Sequence, residues 1–152
     1  MNPPLPDRAP AHEIVNTRLF AATRARVFAA FADPAVLARW WGPQGFTNKF
    51  HEFDFRPGGV WRFTMRGPNG ATYTMDNRFT EILAPELIVV RHNQQGHGFS
   101  LAMTLIEWKG GTQVTWRMLF DDPAEAARLR DFITAANEQN FDRLTAVLAA
   151  AP

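Results

Sequence analysis

From Pro123 to Ala149 the chain runs without a glycine or a second proline, and this uninterrupted segment constrains everything before it. Asp122-Pro123-Ala124-Glu125 supplies an N-cap, a proline at the first helical position and an acid at the third, close to a capping box. About 27 helical residues span roughly 40 Å. The apolar stripe of this helix is read as Leu129, Phe132, Ile133, Ala136, Leu144, Val147 and Leu148.

The surface it must cover comes from a period of two between Thr47 and Phe120. "GGVWRFTMRG" sets Trp61, Phe63 and Met65 opposite Arg62, Thr64 and Arg66, and "PNG" is a hairpin turn signal. "TYTMDNRFTEI", "ELIVVRHN", "FSLAMTLIEW" and "TQVTWRMLF" follow, separated by glycine-containing turns. Strands at this spacing without intervening helices predict an antiparallel meander with one apolar face. Upstream, "HEIVNTRLF" reads as a first strand. Two short helices follow, one capped by Thr23 and one opened by Asp33-Pro34 and closed by Gly42-Pro43. Only the terminal helix is long enough to cover the sheet. The expected fold is therefore α+β, a helix grip: a curved antiparallel sheet of six to seven strands packed on a long C-terminal helix, with two short helices after the first strand. Residues 1–11, with four prolines, are expected to be a flexible tail, and residues 12–150 one domain.

Several function classes fall away. The chain has no cysteine, which removes thiol nucleophiles and cysteine-ligated metals, and its formal charge of +1 is spread along the sequence. No sustained basic patch points to nucleic acid. No apolar run is long enough to span a membrane or to resemble a secretory signal, so the expected location is cytoplasmic. Ser100 is the sole serine and sits in a strand pattern, and no phosphate-binding loop is present. His51 shares an alternating face with Phe53 and Phe55, while His92 and His97 flank a turn with no third ligand in view, so no metal, cofactor or catalytic motif is assigned.

Polar residues on apolar faces carry what functional signal remains. Asn140 falls near the centre of the helical stripe, with Asn137 beside it. An unpaired buried amide costs on the order of 1–3 kcal/mol. It therefore either bonds its surroundings or faces a cavity. On the sheet, Tyr73, Asn77, His92 and Met103 share faces with Phe63, Phe79, Val90 and Leu101. Aromatic and methionine walls with a few polar groups describe a small-molecule pocket.

The segments "DPAVLARWWGPQGF", "FRPGGVWRFTMRGPNG", "FTEILAPELIVV" and "NFDRLTAVLA" resemble the bacterial homologues of the heat-shock protein 90 ATPase activator, within the START-like superfamily. The resemblance runs from about residue 12 to 149, and implies the helix grip with an internal cavity that accepts apolar or aromatic molecules. In that fold Trp40 and Trp41 close one end of the sheet, one ring in the core and the other at the cavity mouth.

The expected function is binding of a hydrophobic or aromatic small molecule, in a cavity near the lower end of the usual range, about 300 Å³. From the sheet, Trp61, Phe63, Met65, Tyr73, Met75, Asn77, Phe79, His92, Phe99, Met103, Trp116 and Met118 are expected to line it. Trp40 and Trp41 join them from the short helix, and Phe132, Ile133, Ala136 and Asn140 from the long one. One alternative is a cyclase- or hydrolase-type enzyme using Tyr73, His92 or Asn140. Another is a partner-binding module like the chaperone activator, although the eukaryotic activator contacts its chaperone through an additional N-terminal domain. A homodimer through a sheet edge or the short helices stays open.

Overall fold

A computed structural model describes residues 12–94 and 96–150; the expected tail, residues 1–11, lies outside them. The elements run β1 (Glu13–Phe20), α1 (Arg24–Ala32), α2 (Pro34–Trp40), β2 (Thr47–Phe53), β3 (Val60–Arg66), β4 (Thr72–Leu83), β5 (Leu87–His92), β6 (Phe99–Trp108), β7 (Gly111–Phe120) and α3 (Pro123–Ala150). The seven strands form one antiparallel sheet in the order β1-β7-β6-β5-β4-β3-β2. This is the helix grip: a curved meander, closed at one edge by the first strand, with α3 across its concave side.

Local chemistry sets the boundaries. Thr23 Oγ1 accepts from the Arg26 amide and Asp33 Oδ1 from the Ala35 amide, so both short helices start on side-chain caps. Asp122 caps α3 by accepting from the Ala124 amide. The capping box is only half formed, because the Glu125 carboxylate turns away to His97. The "RPGG" turn spends its glycine amides on backbone: Gly58 donates to Phe79 O at 2.6 Å and Gly59 to Arg56 O at 2.8 Å. A Cβ on Gly59 would lie 1.9 Å from Asp54 O, so only glycine fits there.

Two expectations about facing need correction. A bulge between Phe50 and Glu52 shifts the β2 register. Phe50 and Phe53 therefore both face inward and stack at 5.7 Å, while His51 is exposed and bonds Thr64 Oγ1 at 2.8 Å. His51 does not share a face with Phe53 and Phe55. The second correction is the phase of α3. Its buried side is Ala126, Asn140, Phe141, Leu144 and Leu148, with Phe141 fully enclosed. At about 100° per residue, Phe132 points some 130° from the centre of that face, and it is 72% exposed.

The covering helix is tied to β1. Phe141 meets Phe20 edge-on at 5.7 Å and Trp116 at 4.8 Å. Beside them Arg18 reaches Asp142 at 2.7 Å and Glu138 at 2.9 Å, and Asn16 donates to Glu138 and to Thr134 O. The ion pairs are partly exposed and add little; the phenylalanine carries the contact.

Two substitutions on α3 read its phase. Phe141→Ala should destabilise the fold by about 3–5 kcal/mol, whereas Phe132→Ser should stay within about 0.5 kcal/mol. Urea unfolding midpoints of the two variants check both.

Candidate functional site

The loop after α2 depends on side chains from elsewhere in the fold to satisfy its backbone. A helix end leaves its last carbonyls without intrahelical partners. Each is met by a side chain. Asn48 Nδ2 donates to Ala38 O at 3.1 Å and Trp41 O at 2.8 Å. Asn140 Nδ2 donates to Trp40 O at 2.8 Å, and its Oδ1 accepts from the Gly42 amide at 3.2 Å. Arg143 takes Arg39 O at 2.7 Å through Nη2, and Trp41 O, Gly42 O and Pro43 O at 2.9–3.0 Å through Nη1. Burial lowers the Arg143 pKa from its ordinary value. Gly42 completes the turn at φ +97°, where a Cβ would press on Met65 Cε at 3.0 Å.

This clamp fixes the two tryptophans. Trp40 is fully buried, packs edge-on against Phe31 at 4.9 Å and donates its indole N–H to Ala30 O at 3.0 Å. Trp41 is turned inward, 5.0 Å from the Trp61 ring and 5.2 Å from Trp116. Trp41 and Trp61 form a partition. On one side, bounded by Phe31, Leu37, Phe55, Phe79, Ile88 and Met103, the interior closes to about 10 Å³, room for one water at most. On the other side lies a cavity of about 140 Å³.

The cavity is walled by Trp41, Trp61, Phe63, Met65, Met75, Asn77, Phe99, Trp116, Met118 and Asn140, all expected from the sequence. Gly42, Pro43, Val90, Leu101 and Asn137 also line it. Sequence reasoning placed Val90, Leu101 and Asn137 on the right faces but did not select them. It missed the Gly42-Pro43 backbone and Arg143, whose only signal was a cation three residues beyond Asn140.

Eight expected residues lie elsewhere. Trp40, Phe79 and Met103 are packed core on the far side of the partition. Tyr73 continues the Met75 face of β4 but is 48% exposed, resting 6.4 Å from the Phe46 ring. Phe132 faces outward, and Ile133 and Ala136 are half-buried outside the cavity wall, because the phase of α3 presents Asn137 and Asn140 instead. His92 sits behind the wall. Its Nδ1 lies 2.8 Å from Asn77 Oδ1, its Nε2 3.2 Å from Gln94 Oε1, and its ring stacks on Phe99 at 4.9 Å. Asn77 Nδ2 donates to Trp61 O, so its oxygen faces His92, and both ring nitrogens of the histidine point at amide oxygens. Tyr73, His92 and Asn140 thus do not meet at one point.

The cavity is also less than half the expected size, because Trp41 cuts the interior in two. Among the described residues, no group of three histidine, aspartate or glutamate side chains is placed to hold a metal. No helix there is long and apolar enough to cross a membrane.

Comparison with known proteins adds the following. A family model described as "Activator of Hsp90 ATPase homolog 1-like protein" matches residues 21–149. No curated protein matches. Solved structures share the fold. A Rhodobacter sphaeroides protein superposes with a TM-score of 0.84 at 25% identity, covering 95% of this chain and 97% of that one. An Arthrobacter aurescens protein gives 0.83 at 23%, with coverage of 93% and 88%. The AHSA1 protein of Silicibacter pomeroyi gives 0.73 at 21%, with coverage of 90% and 97%.

Two outcomes follow. Asn140→Leu leaves Trp40 O and the Gly42 amide without partners, and should cost about 2–4 kcal/mol in denaturant titration. Burial holds His92 below its ordinary pKa of 6.5, despite the opposing effects of Gln94 and Asp76. As pH falls through about 6.5 the unfolded chain takes up a proton that the folded state resists, so stability declines. His92→Phe should give a lower melting temperature that changes less between pH 7 and pH 5.

Proposed function

The chain belongs to the Activator of Hsp90 ATPase homolog 1-like protein family, and from that footing we propose that it binds a small, mainly aromatic molecule in the sheet–helix cavity. One observation carries the reading: beside a core packed to about 10 Å³, the same sheet face keeps about 140 Å³ open between α3 and β3–β7. Close-packed interiors do not keep such space without cost. An engineered apolar cavity of about 150 Å³ holds benzene. The volume here therefore suits a single substituted ring rather than a sterol or a fatty acid.

The walls fit such a guest. Rings from Trp41, Trp61, Phe63, Phe99 and Trp116 offer flat contact, and Met65, Met75 and Met118 adapt to its outline. Asn77, Asn137 and Asn140 give three points that can fix orientation. A cyclase or hydrolase needs a donor and a base converging on the guest, and the exposure of Tyr73 and the enclosure of His92 behind Asn77 count against that trio.

Thermal unfolding in the presence of a ligand panel tests the proposal. A one-ring aromatic at a hundred times its dissociation constant should add about 2.7 kcal/mol, a rise of roughly 5–10 °C. Sterols and polycyclic aromatics should add nothing. Val90→Phe, which fills the cavity, should remove the shift while the variant stays folded. A shift that survives Val90→Phe would place the guest elsewhere, and silence from every one-ring compound would remove the proposal.

A further inference from the structure

Two of the rings that wall the cavity carry an unanswered polar group. Trp61 and Trp116 are each 1% exposed, and neither indole N–H has a hydrogen-bond partner. An indole nitrogen can only donate. Buried donors left unpaired are rare in folded proteins, and each calls for a reason. Trp40 shows how this chain treats the same group elsewhere: its indole N–H is paired with Ala30 O.

The three asparagines of the lining, by contrast, already have partners. Asn140 Oδ1 is occupied by the Gly42 amide and Asn77 Oδ1 by His92. On the donor side, Asn77 Nδ2 and Asn140 Nδ2 each make one bond, to Trp61 O and Trp40 O, and each keeps a second N–H. Each asparagine keeps capacity to spare, Asn137 through its oxygen, its nitrogen being bound to Asn16 Oδ1 and Met118 Sδ, so the two indole N–H groups are the lining donors left without any partner. No charged side chain lines the cavity. An anion entering it would lose its water without gaining a cation.

We infer that the guest is a neutral aromatic molecule bearing a hydrogen-bond acceptor, of the aryl ketone or aldehyde class, whose oxygen is received by the indole N–H of Trp61 or Trp116. This rests on the ligand reading above and specifies its chemistry. A carbonyl oxygen brings two lone pairs and no proton of its own, which suits two N–H donors without partners. Trp61 stands on β3 and Trp116 on β7, with Trp41 touching both rings, so acceptors at either end of the guest are within the scope of the wall. The competing account is that each N–H rests on the face of a neighbouring ring, a weak interaction that needs no guest.

The experiment uses the folded protein with three one-ring probes: acetophenone, its near-isostere ethylbenzene, and benzoate. The indole N–H signals are followed in ¹H–¹⁵N spectra of the unsubstituted protein, so the result does not depend on any variant folding. Acetophenone should move the Trp61 or Trp116 signal downfield, ethylbenzene should bind without doing so, and benzoate should not bind. In Trp61→Phe or Trp116→Phe, the preference for acetophenone over ethylbenzene should fall about five- to tenfold. Comparing the ratio between variants cancels the unequal cost of taking the two molecules out of water. Acetophenone bound with both indole signals unmoved and the ratio unchanged overturns the inference and leaves the ligand reading standing. Tight binding of benzoate overturns the neutral class. Failure of both neutral probes to bind removes the ligand reading, and this inference with it.

Discussion

The carbonyls at the end of α2 have to be answered from outside their own helix, and the arrangement of the cavity follows from how that is done. Residues 38–41 all leave a backbone oxygen without a partner in their own helix, and every one is met by Asn48, Asn140 or Arg143. Two of those three come from α3, nearly a hundred residues away. The long helix therefore covers the sheet and also determines where the Trp-Trp-Gly-Pro turn lies. Because Trp41 belongs to that turn, the same hydrogen bonds set the partition between packed core and open cavity.

This gives Asn140 a meaning different from the one its position first suggests. A polar residue on the apolar stripe of a helix reads equally well as a ligand contact or as a structural amide. In the folded chain its carbonyl and one N–H are committed to the loop, and the residue shapes the cavity before it touches any guest. Arg143 does the corresponding work at the rim, its charge spread over four carbonyls and partly withdrawn from water.

The architecture was legible because its signals are local. Alternation from Thr47 to Phe120, glycine at the turns, Asp33-Pro34, and the break-free terminal segment each state one element, and their order leaves one way to cover the sheet. The site was legible only in part. Alternation gave the right face for Trp61, Phe63, Met75 and Asn77, but it cannot say where the covering helix ends, so Tyr73 was carried past the edge into solvent. On α3, the apolar residues at 129, 132, 133 and 136 pulled the stripe away from Phe141, which fixes the true phase. The depth of His92 depended on a neighbour across the β4–β5 pairing, and the clamp on contacts spanning nearly the whole chain. Neither is written in any short window of sequence.

Four of the five tryptophans lie in a continuous set of ring contacts. Trp40 is 5.7 Å from Trp41 and 6.4 Å from Trp116, and Trp41 is 5.0 Å from Trp61 and 5.2 Å from Trp116. Trp108 stands apart at the far end of β6 under Lys109, outside this assembly. Turning any one of the four rings therefore changes its contacts with the others, so the walls of the cavity and the packed core answer to a single aromatic assembly.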